Sequence, residues 1–453
     1  MTYRLLARLL RFVVGVFFRR VEVAGGENIP DDGAVIFVGN HPNSLLDPVL
    51  IIATCRRPVH FAAKDVLFRG RVMRAILGAL GAVPVARRSD HDGPVDNRAA
   101  FDALARVLAD GGAMGIFPEG VSHDEAHLQR LKTGAARIAL DAAARGLAVR
   151  VVPCGLNYVR PKRFRSRVLV QYGEPILVDN ALRTGGEGGK MEGDEREAAR
   201  ALTEAIERAL RALTVNADDW ETVRVLDAAR RLYQPHDVPL DVRAELQRRF
   251  NDVYPSVRAL PDVRQVLERV RAYRDKLAAL GLDDRDLRRE MGAPEVIARV
   301  VQQLFLTLLW LPLAAPGIVL HAPLGLAIGF AGGRLTPRKD VLATTKLILG
   351  LAMVPLVWAA LLGFAWWRFG FLVAAAALLL LALSGIATLK VLERGARLGR
   401  VLQAGLLVLG LRREVAALRA ERAALERDVI AAVDRHRPPE MAPIFSRART
   451  HDA

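Results

Sequence analysis

Cysteine is nearly absent: 453 residues hold only Cys55 and Cys154. Two thiols in apolar, strand-like surroundings exclude a disulfide framework and a cysteine-rich zinc cluster, and read as reduced, buried side chains. Acidic residues are in deficit, 49 Asp and Glu against 65 Lys and Arg, which leaves a net charge of +16. That excess favours an anionic membrane surface, a phosphorylated substrate or a nucleic acid. Charge of either sign is missing from three long runs, residues 301–333, 347–367 and 369–389. A chain with 52% hydrophobic residues segregated in this way is not a soluble globule throughout. No nucleic-acid motif is present, so a phospholipid membrane is the expected partner.

Each of the last two runs suits one spanning helix of about 20 residues. They are separated by Arg368 beside Trp366 and Trp367, an interfacial anchor. The first run is longer, roughly 50 Å as a helix, and contains Pro312, Pro316 and Pro323. A re-entrant hairpin or a pair of short helices is expected there. Arg299, Arg334, Arg338, Lys339 and Lys346 flank one side, and Lys390, Arg394, Arg397 and Arg400 follow the last span. Placing all of them in the cytoplasm satisfies the positive-inside rule and requires an even number of crossings. At the other end, residues 1–20 put Arg4, Arg8, Arg11 and Arg19 near one helical face, with Leu and Phe on the other. The charge-free part, residues 12–18, is too short to span, and FFRR is no signal-peptide cleavage site. An amphipathic helix lying at the interface is expected. Composition then suits a multi-pass protein of a bacterial inner membrane, active on its cytoplasmic face.

Between these ends the texture varies. Over residues 21–183, strand-like runs (AVIFVG, VHFAA, AMGIFP, VRVVPCGLNY, VLVQYG) alternate with helical stretches, which predicts an α/β domain with a mostly parallel sheet flanked by helices. TGGEGGKMEGDE, residues 184–195, reads as a linker. Residues 196–299 predict a helical accessory region without a chemical motif, and residues 300–390 the membrane region. Residues 391–436 predict a C-terminal helix, and residues 437–453 a flexible tail. In that helix Leu411, Val415, Leu418, Leu425 and Val429 recur at heptad spacing, interrupted by Arg422. It forms either a short coiled coil for self-association or a helix packed along its own chain.

Chemistry concentrates where strands end. GNHPNSLLDP, residues 39–48, follows an apolar run and places His41 six residues before Asp47. A carboxylate in reach of a histidine fixes its tautomer and stabilises the charge it gains on taking up a proton. GIFPEGVSH, residues 115–123, also follows a strand and carries Glu119 between Pro118 and Gly120. GAVPVARR, residues 81–88, ends in Arg87 and Arg88, a pair suited to a phosphate. Lys64, Arg69, Arg71 and Arg74 form either a solvated face or a contact for anionic headgroups or the phosphates of coenzyme A. Two other patterns fail. His123 and His127 lack the glutamate position and third ligand of a helical zinc motif, and Ser122 lacks the glycine of a nucleophile elbow.

Four blocks in order, Asn40-His41 with Asp47, Gly81 with Arg87, Phe117-Pro118-Glu119-Gly120 and Val152-Pro153, resemble the glycerolipid acyltransferase family over residues 21–180. That family includes the glycerol-3-phosphate and 1-acylglycerol-3-phosphate acyltransferases. The resemblance implies that His41, oriented by Asp47, deprotonates an acceptor hydroxyl. The hydroxyl then attacks the thioester of acyl-CoA or acyl-carrier protein, the co-substrate, with no bound cofactor and no metal. Asn40, Arg87, Arg88, Glu119 and Gly120 would shape the site and hold a phosphorylated glycerol acceptor, with backbone amides nearby as oxyanion donors. Many members continue the third block with Thr-Arg, whereas this chain reads Val121-Ser122-His123. A phosphate-binding arginine is therefore missing, and its role falls to Ser122, His123 or Lys132. The SHD that follows the block and the later Lys-Thr-Gly are similar to the fungal glycerol-3-phosphate/dihydroxyacetone-phosphate acyltransferase branch. The expected activity is membrane-bound O-acyl transfer in phospholipid synthesis. The alternatives are lysophospholipid remodelling or an idle lipid-binding scaffold.

Overall fold

The computed structural model describes all residues except 1, 87–96, 179–190, 218, 236, 237, 239, 281, 283, 289–292, 337, 411, 443, 444 and 446–453. Among them are the strands β1 (Arg20–Ala24), β2 (Ala34–Gly39), β3 (Val59–Lys64), β4 (Val83–Val85), β5 (Ala113–Ile116), β6 (Val149–Tyr158), β7 (Arg167–Tyr172) and β8 (Ile176–Val178). They form one sheet in the order β1-β7-β6-β2-β5-β3-β4, with β8 paired to β6. Pairs from β6 through β2, β5 and β3 to β4 are parallel, whereas β7 and β8 run antiparallel to β6. The expected mostly parallel sheet is present. Strands β4 and β8, of three residues each, are too short to show a period, and β1 (RVEVA), at the sheet edge, breaks its apolar run with Glu22.

Val35, Ile36, Phe37 and Val38 of β2 are fully buried, since helices cover both faces; hence the unbroken apolar run instead of an alternating one. On one face Val35 and Phe37 pack against α1 (Thr2–Phe17) and α2 (Leu46–Thr54). On the other, Ile36 and Val38 meet α4 (Arg98–Ala109), α5 (Gly134–Ala144) and α6 (Met191–Leu213). Helix α3 (Arg71–Ala79) lies between β3 and β4 in sequence. Leu202, Ile206 and Leu210 of α6 belong to the sheet domain's core, so the helical accessory region proper begins after it.

Helix α1 has three sectors instead of the two expected. Val13, Val14 and Phe17 are buried in the domain core, and the Arg11 Nε donates to the Ala53 carbonyl at 2.9 Å. Leu5, Leu9 and Phe12 remain 53–69% exposed, between that buried stripe and the arginines. The apolar arc is wide enough to serve the core and still present a greasy edge flanked by cations.

The accessory region comprises α7 (Trp220–Tyr233), α8 (Leu240–Val257), α9 (Pro261–Ala279) and α10 (Asp284–Arg288), closed by α14 (Arg412–His436). Val415, Leu418, Leu425 and Val429 of α14 are buried with Val225 and Ala229 of α7 and Val270, Tyr273 and Leu277 of α9. The heptad seam is thus consumed within the chain, and the surface expected for self-association is covered; Leu411 lies outside the described residues.

Three helices, α11 (Ala293–Leu335), α12 (Leu342–Phe369) and α13 (Phe371–Gly410), contain segments long and apolar enough to cross a membrane. The loop expected within 301–333 does not form: α11 is helical throughout, with Pro312, Pro316 and Pro323 inside it. The apolar helices among the described residues therefore number three, and the even count of crossings expected from the flanking cations is not met. Ala314 meets Thr388, and a Cβ on Gly317 would fall 2.4 Å from the Ser384 carbonyl oxygen. Close packing on α13 therefore holds this stretch helical despite prolines that remove backbone donors. The expected boundary at 390/391 falls inside α13. Its Glu393 accepts from Arg165 Nε at 2.7 Å, and Arg165 also donates to the Gly15 and Val16 carbonyls. Ala343 and Leu347 of α12 join the sheet-domain core itself. The apolar helices are packed onto the α/β domain as well as linked to it.

Candidate active site

Parallel strands β2 and β5 end side by side, with Val38 opposite Ile116, and Gly39 lies beside Cys154 in the middle of β6. Chain leaving a parallel strand at its carboxyl end forms the usual ligand crevice of an α/β sheet. Residues 40–47 and 117–123 both emerge there.

The first loop turns through Ser44, a non-glycine residue in the left-handed region with φ 49°. The Asp47 amide donates to the Ser44 carbonyl at 3.2 Å, which starts α2 with Asp47 in its first turn. The Asp47 carboxylate is fully buried and receives three donors. His41 Nδ1 and the Asn43 amide reach Oδ2, each at 2.8 Å, and the Tyr158 hydroxyl reaches Oδ1 at 2.6 Å. Burial pushes the carboxyl's pKa up, and the contacts from His41, Tyr158 and Asn43 oppose that. With Nδ1–H donated to Asp47, the unprotonated nitrogen of His41 is Nε2, free to accept a proton. The imidazole stacks on Phe117, 4.1 Å between centroids at 7°, and Phe117 stacks on Phe61 at 5.7 Å. A Cβ on Gly39 would lie 3.1 Å from Phe117, so a glycine at the strand end leaves room for the ring.

Glu119, 2% exposed, ties the two loops together. One oxygen accepts the His41 amide at 2.7 Å; the other accepts the Gln129 amide at 2.9 Å and faces His123 Nε2. Burial alone would lower the His123 pKa, but the hydrogen bond and charge of Glu119 outweigh it and hold the imidazole above its usual value. The His123 amide donates in turn to the His41 carbonyl at 3.2 Å. Gly120 has φ +74°, and a Cβ there would sit 2.6 Å from Lys132 Nζ. The left-handed turn favours glycine there, and the flexible end of the lysine lies across it.

The remaining expected residues divide. The Asn40 amide bridges β6, donating to the Leu156 carbonyl at 3.1 Å and accepting its N–H at 2.7 Å, so it shapes the loop. Exposed Lys132 lies beside the loop through its contact with Gly120. Ser122 donates to Asp340 Oδ2 at 2.6 Å, outside the α/β domain. Arg87 and Arg88 lie outside the described residues. The Asn97 side chain accepts the Ala86 N–H and donates to the Ala86 carbonyl, each at 2.9 Å. Sequence reasoning missed Tyr158 and Asn43, whose only advance signal was a polar residue at a strand end and in a turn.

A second unforeseen element is the connection between α11 and α12 together with the first turns of α12. Arg338 Nη2 donates to the Ser122 carbonyl at 2.9 Å, Thr344 Oγ1 to the Asn43 carbonyl at 3.4 Å, and Lys346 Nζ to the Lys162 carbonyl at 3.2 Å. Residues 338–346 therefore touch the loop that carries His41 and the loops that follow β5 and β6.

Comparison with known proteins gives a consistent picture. Residues 20–157 match the Acyltransferase family, and residues 225–332 and 336–441 match the Glycerol-3-phosphate acyltransferase 2 C-terminal domain. The chain is similar to Saccharomyces cerevisiae glycerol-3-phosphate O-acyltransferase 2, 34% identical over 58% of this chain and 37% of the yeast protein. It is 30% identical to glycerol-3-phosphate O-acyltransferase 1 of the same yeast, over the same shares. It also resembles 1-acyl-sn-glycerol-3-phosphate acyltransferase of Borreliella burgdorferi, 30% identical over 35% of this chain and 62% of that protein. The match thus spans little more than a third of the yeast relatives' length.

Proposed function

The chain belongs to the glycerolipid acyltransferase family, and from that premise we propose that it transfers a fatty acyl group from a thioester to the hydroxyl of a phosphorylated glycerol. Glycerol 3-phosphate is the first acceptor to try, because the yeast relatives carry that name; dihydroxyacetone phosphate and 1-acylglycerol 3-phosphate follow. The donor is acyl-CoA or acyl-carrier protein. The observation that carries the reading is His41 held by a buried Asp47 that itself receives two further donors.

In the proposed reaction, His41 Nε2 takes the proton of the acceptor hydroxyl as its oxygen attacks the thioester carbonyl. Asp47 stabilises the imidazolium that forms. The tetrahedral intermediate collapses with cleavage of the carbon–sulfur bond, and the thiolate recovers the proton from His41. Glu119 keeps the His41 backbone in register and pairs with His123. The exposed edge of α1 and the apolar helices hold the site against the membrane, where an insoluble product can leave. The positive flanks of α12 and α13 favour a cytoplasmic active site.

Membranes containing the chain, supplied with labelled acyl-CoA and each acceptor in parallel, test this directly. Wild type should acylate at least one acceptor, and His41→Ala should lose about two to four orders of magnitude, the usual contribution of a general base. Equal activity in the two proteins would remove His41 from the mechanism.

A further inference from the structure

The α/β domain reads Val121-Ser122 immediately after its Glu119-Gly120 turn, and a cation from elsewhere in the chain occupies that neighbourhood. Arg338 reaches it from between the apolar helices α11 and α12. Its Nη2 donates to the Ser122 carbonyl at 2.9 Å and to Asp340 Oδ2 at 2.8 Å, and its Nε lies 3.2 Å from Asp340 Oδ1. Asp340 is 5% exposed and also accepts the Ser122 hydroxyl. One edge of the guanidinium is therefore fixed. Nη1 bonds to no described residue, and the side chain is 55% exposed. Ser122 adjoins His123, whose amide bonds the His41 backbone, so the clamp sits one residue from the frame of the proposed base.

We infer that Arg338, held between two apolar helices, binds the acceptor's phosphate at the turn after Glu119. This rests on the acyl-transfer reading above. With Nε and Nη2 held by Asp340 and the Ser122 carbonyl, Nη1 is left as a pre-oriented cationic donor, which suits one oxygen of a phosphate better than a freely rotating lysine does. Lys132, lying over Gly120 in the same loop, adds a second positive charge. The arrangement also gives the apolar helices a role in catalysis: they set the position of a substrate ligand as well as tethering the domain.

A phosphate could equally belong to the acyl-CoA donor, and the test separates the two. The full chain, reconstituted in lipid, is assayed as wild type, Arg338→Ala and Arg338→Lys, varying acceptor and acyl-CoA separately. Arg338→Ala should raise KM for the phosphorylated acceptor about 10- to 100-fold, the scale of a hydrogen bond to a charged group. KM for acyl-CoA and kcat should stay within a few-fold, and Arg338→Lys should recover part of the loss. An unchanged acceptor KM overturns the inference. So does a rise confined to acyl-CoA, which would place a coenzyme phosphate there. A fall in kcat alone with a lowered melting temperature in both variants would make the contact structural and overturn it too. Wild-type transfer that His41→Ala abolishes leaves the broader reading standing in every one of these cases.

Discussion

Replacing Asp47 by asparagine separates two effects that are usually lost together, and the geometry says which one survives. Oδ2 of Asp47 faces two groups, His41 Nδ1 and the Asn43 amide, whereas Oδ1 faces only the Tyr158 hydroxyl. A backbone N–H can only donate, so the asparagine oxygen must occupy the Oδ2 position and the amide nitrogen the other. The hydroxyl of Tyr158 can turn to accept from that nitrogen. His41 then still donates Nδ1–H to an oxygen and keeps Nε2 free. What disappears is the negative charge opposite the imidazolium. Loss of a charge-assisted hydrogen bond corresponds to about 1.5–3 kcal/mol, hence a roughly 10- to 150-fold decrease in kcat. That is well short of the ~10⁴-fold decrease that follows when the same exchange reverses a catalytic tautomer. Asp47→Ala differs in kind, because it strands three donors, each at about 1–3 kcal/mol, and should lower the melting temperature as well. Initial rates with labelled acyl-CoA, normalised to folded protein, decide the matter. If Asp47→Asn is as inactive as His41→Ala while remaining folded, the amide has turned the other way and the reasoning about Asn43 is wrong.

Other consequences are more quickly stated. Gly120→Ala places a side chain at φ +74°; that strain should destabilise the α/β domain by about 1–3 kcal/mol and depress activity, measured by thermal unfolding alongside turnover. His123 binds its proton more tightly folded than unfolded. Its stabilising contribution is therefore complete below its ordinary pKa of 6.5 and fades as pH rises through the raised folded value; His123→Gln should flatten that part of the melting-temperature profile. Leu425→Ala, at a fully buried position of α14, should lower stability by about 2–5 kcal/mol and leave the oligomeric state measured by light scattering unchanged. A lost oligomer would restore the intermolecular coiled coil.

Local pattern settled much of this protein. The apolar run of β2, the His41–Asp47 spacing and the Phe117–Gly120 turn were legible because strand burial, loop chemistry and turn conformation each depend on a few consecutive residues. The three charge-free runs marked apolar helices for the same reason. Tertiary structure alone decided the rest. Tyr158 meets Asp47 across 111 residues, and Ser122 meets Asp340 across 218, distances over which no periodicity in a single sequence carries information. Whether the heptads of α14 would face a second chain or α7 and α9 was equally undetermined, since an apolar stripe specifies only that something must cover it. The prolines of α11 read as breaks because a proline taken alone removes a helical hydrogen bond, and only the contact with α13 explains why the helix persists. The sequence therefore determined the chemical groups and the elements that bear them. The fold determined which buried carboxylate is fully satisfied, and brought the membrane helices' own arginine to the turn after Glu119.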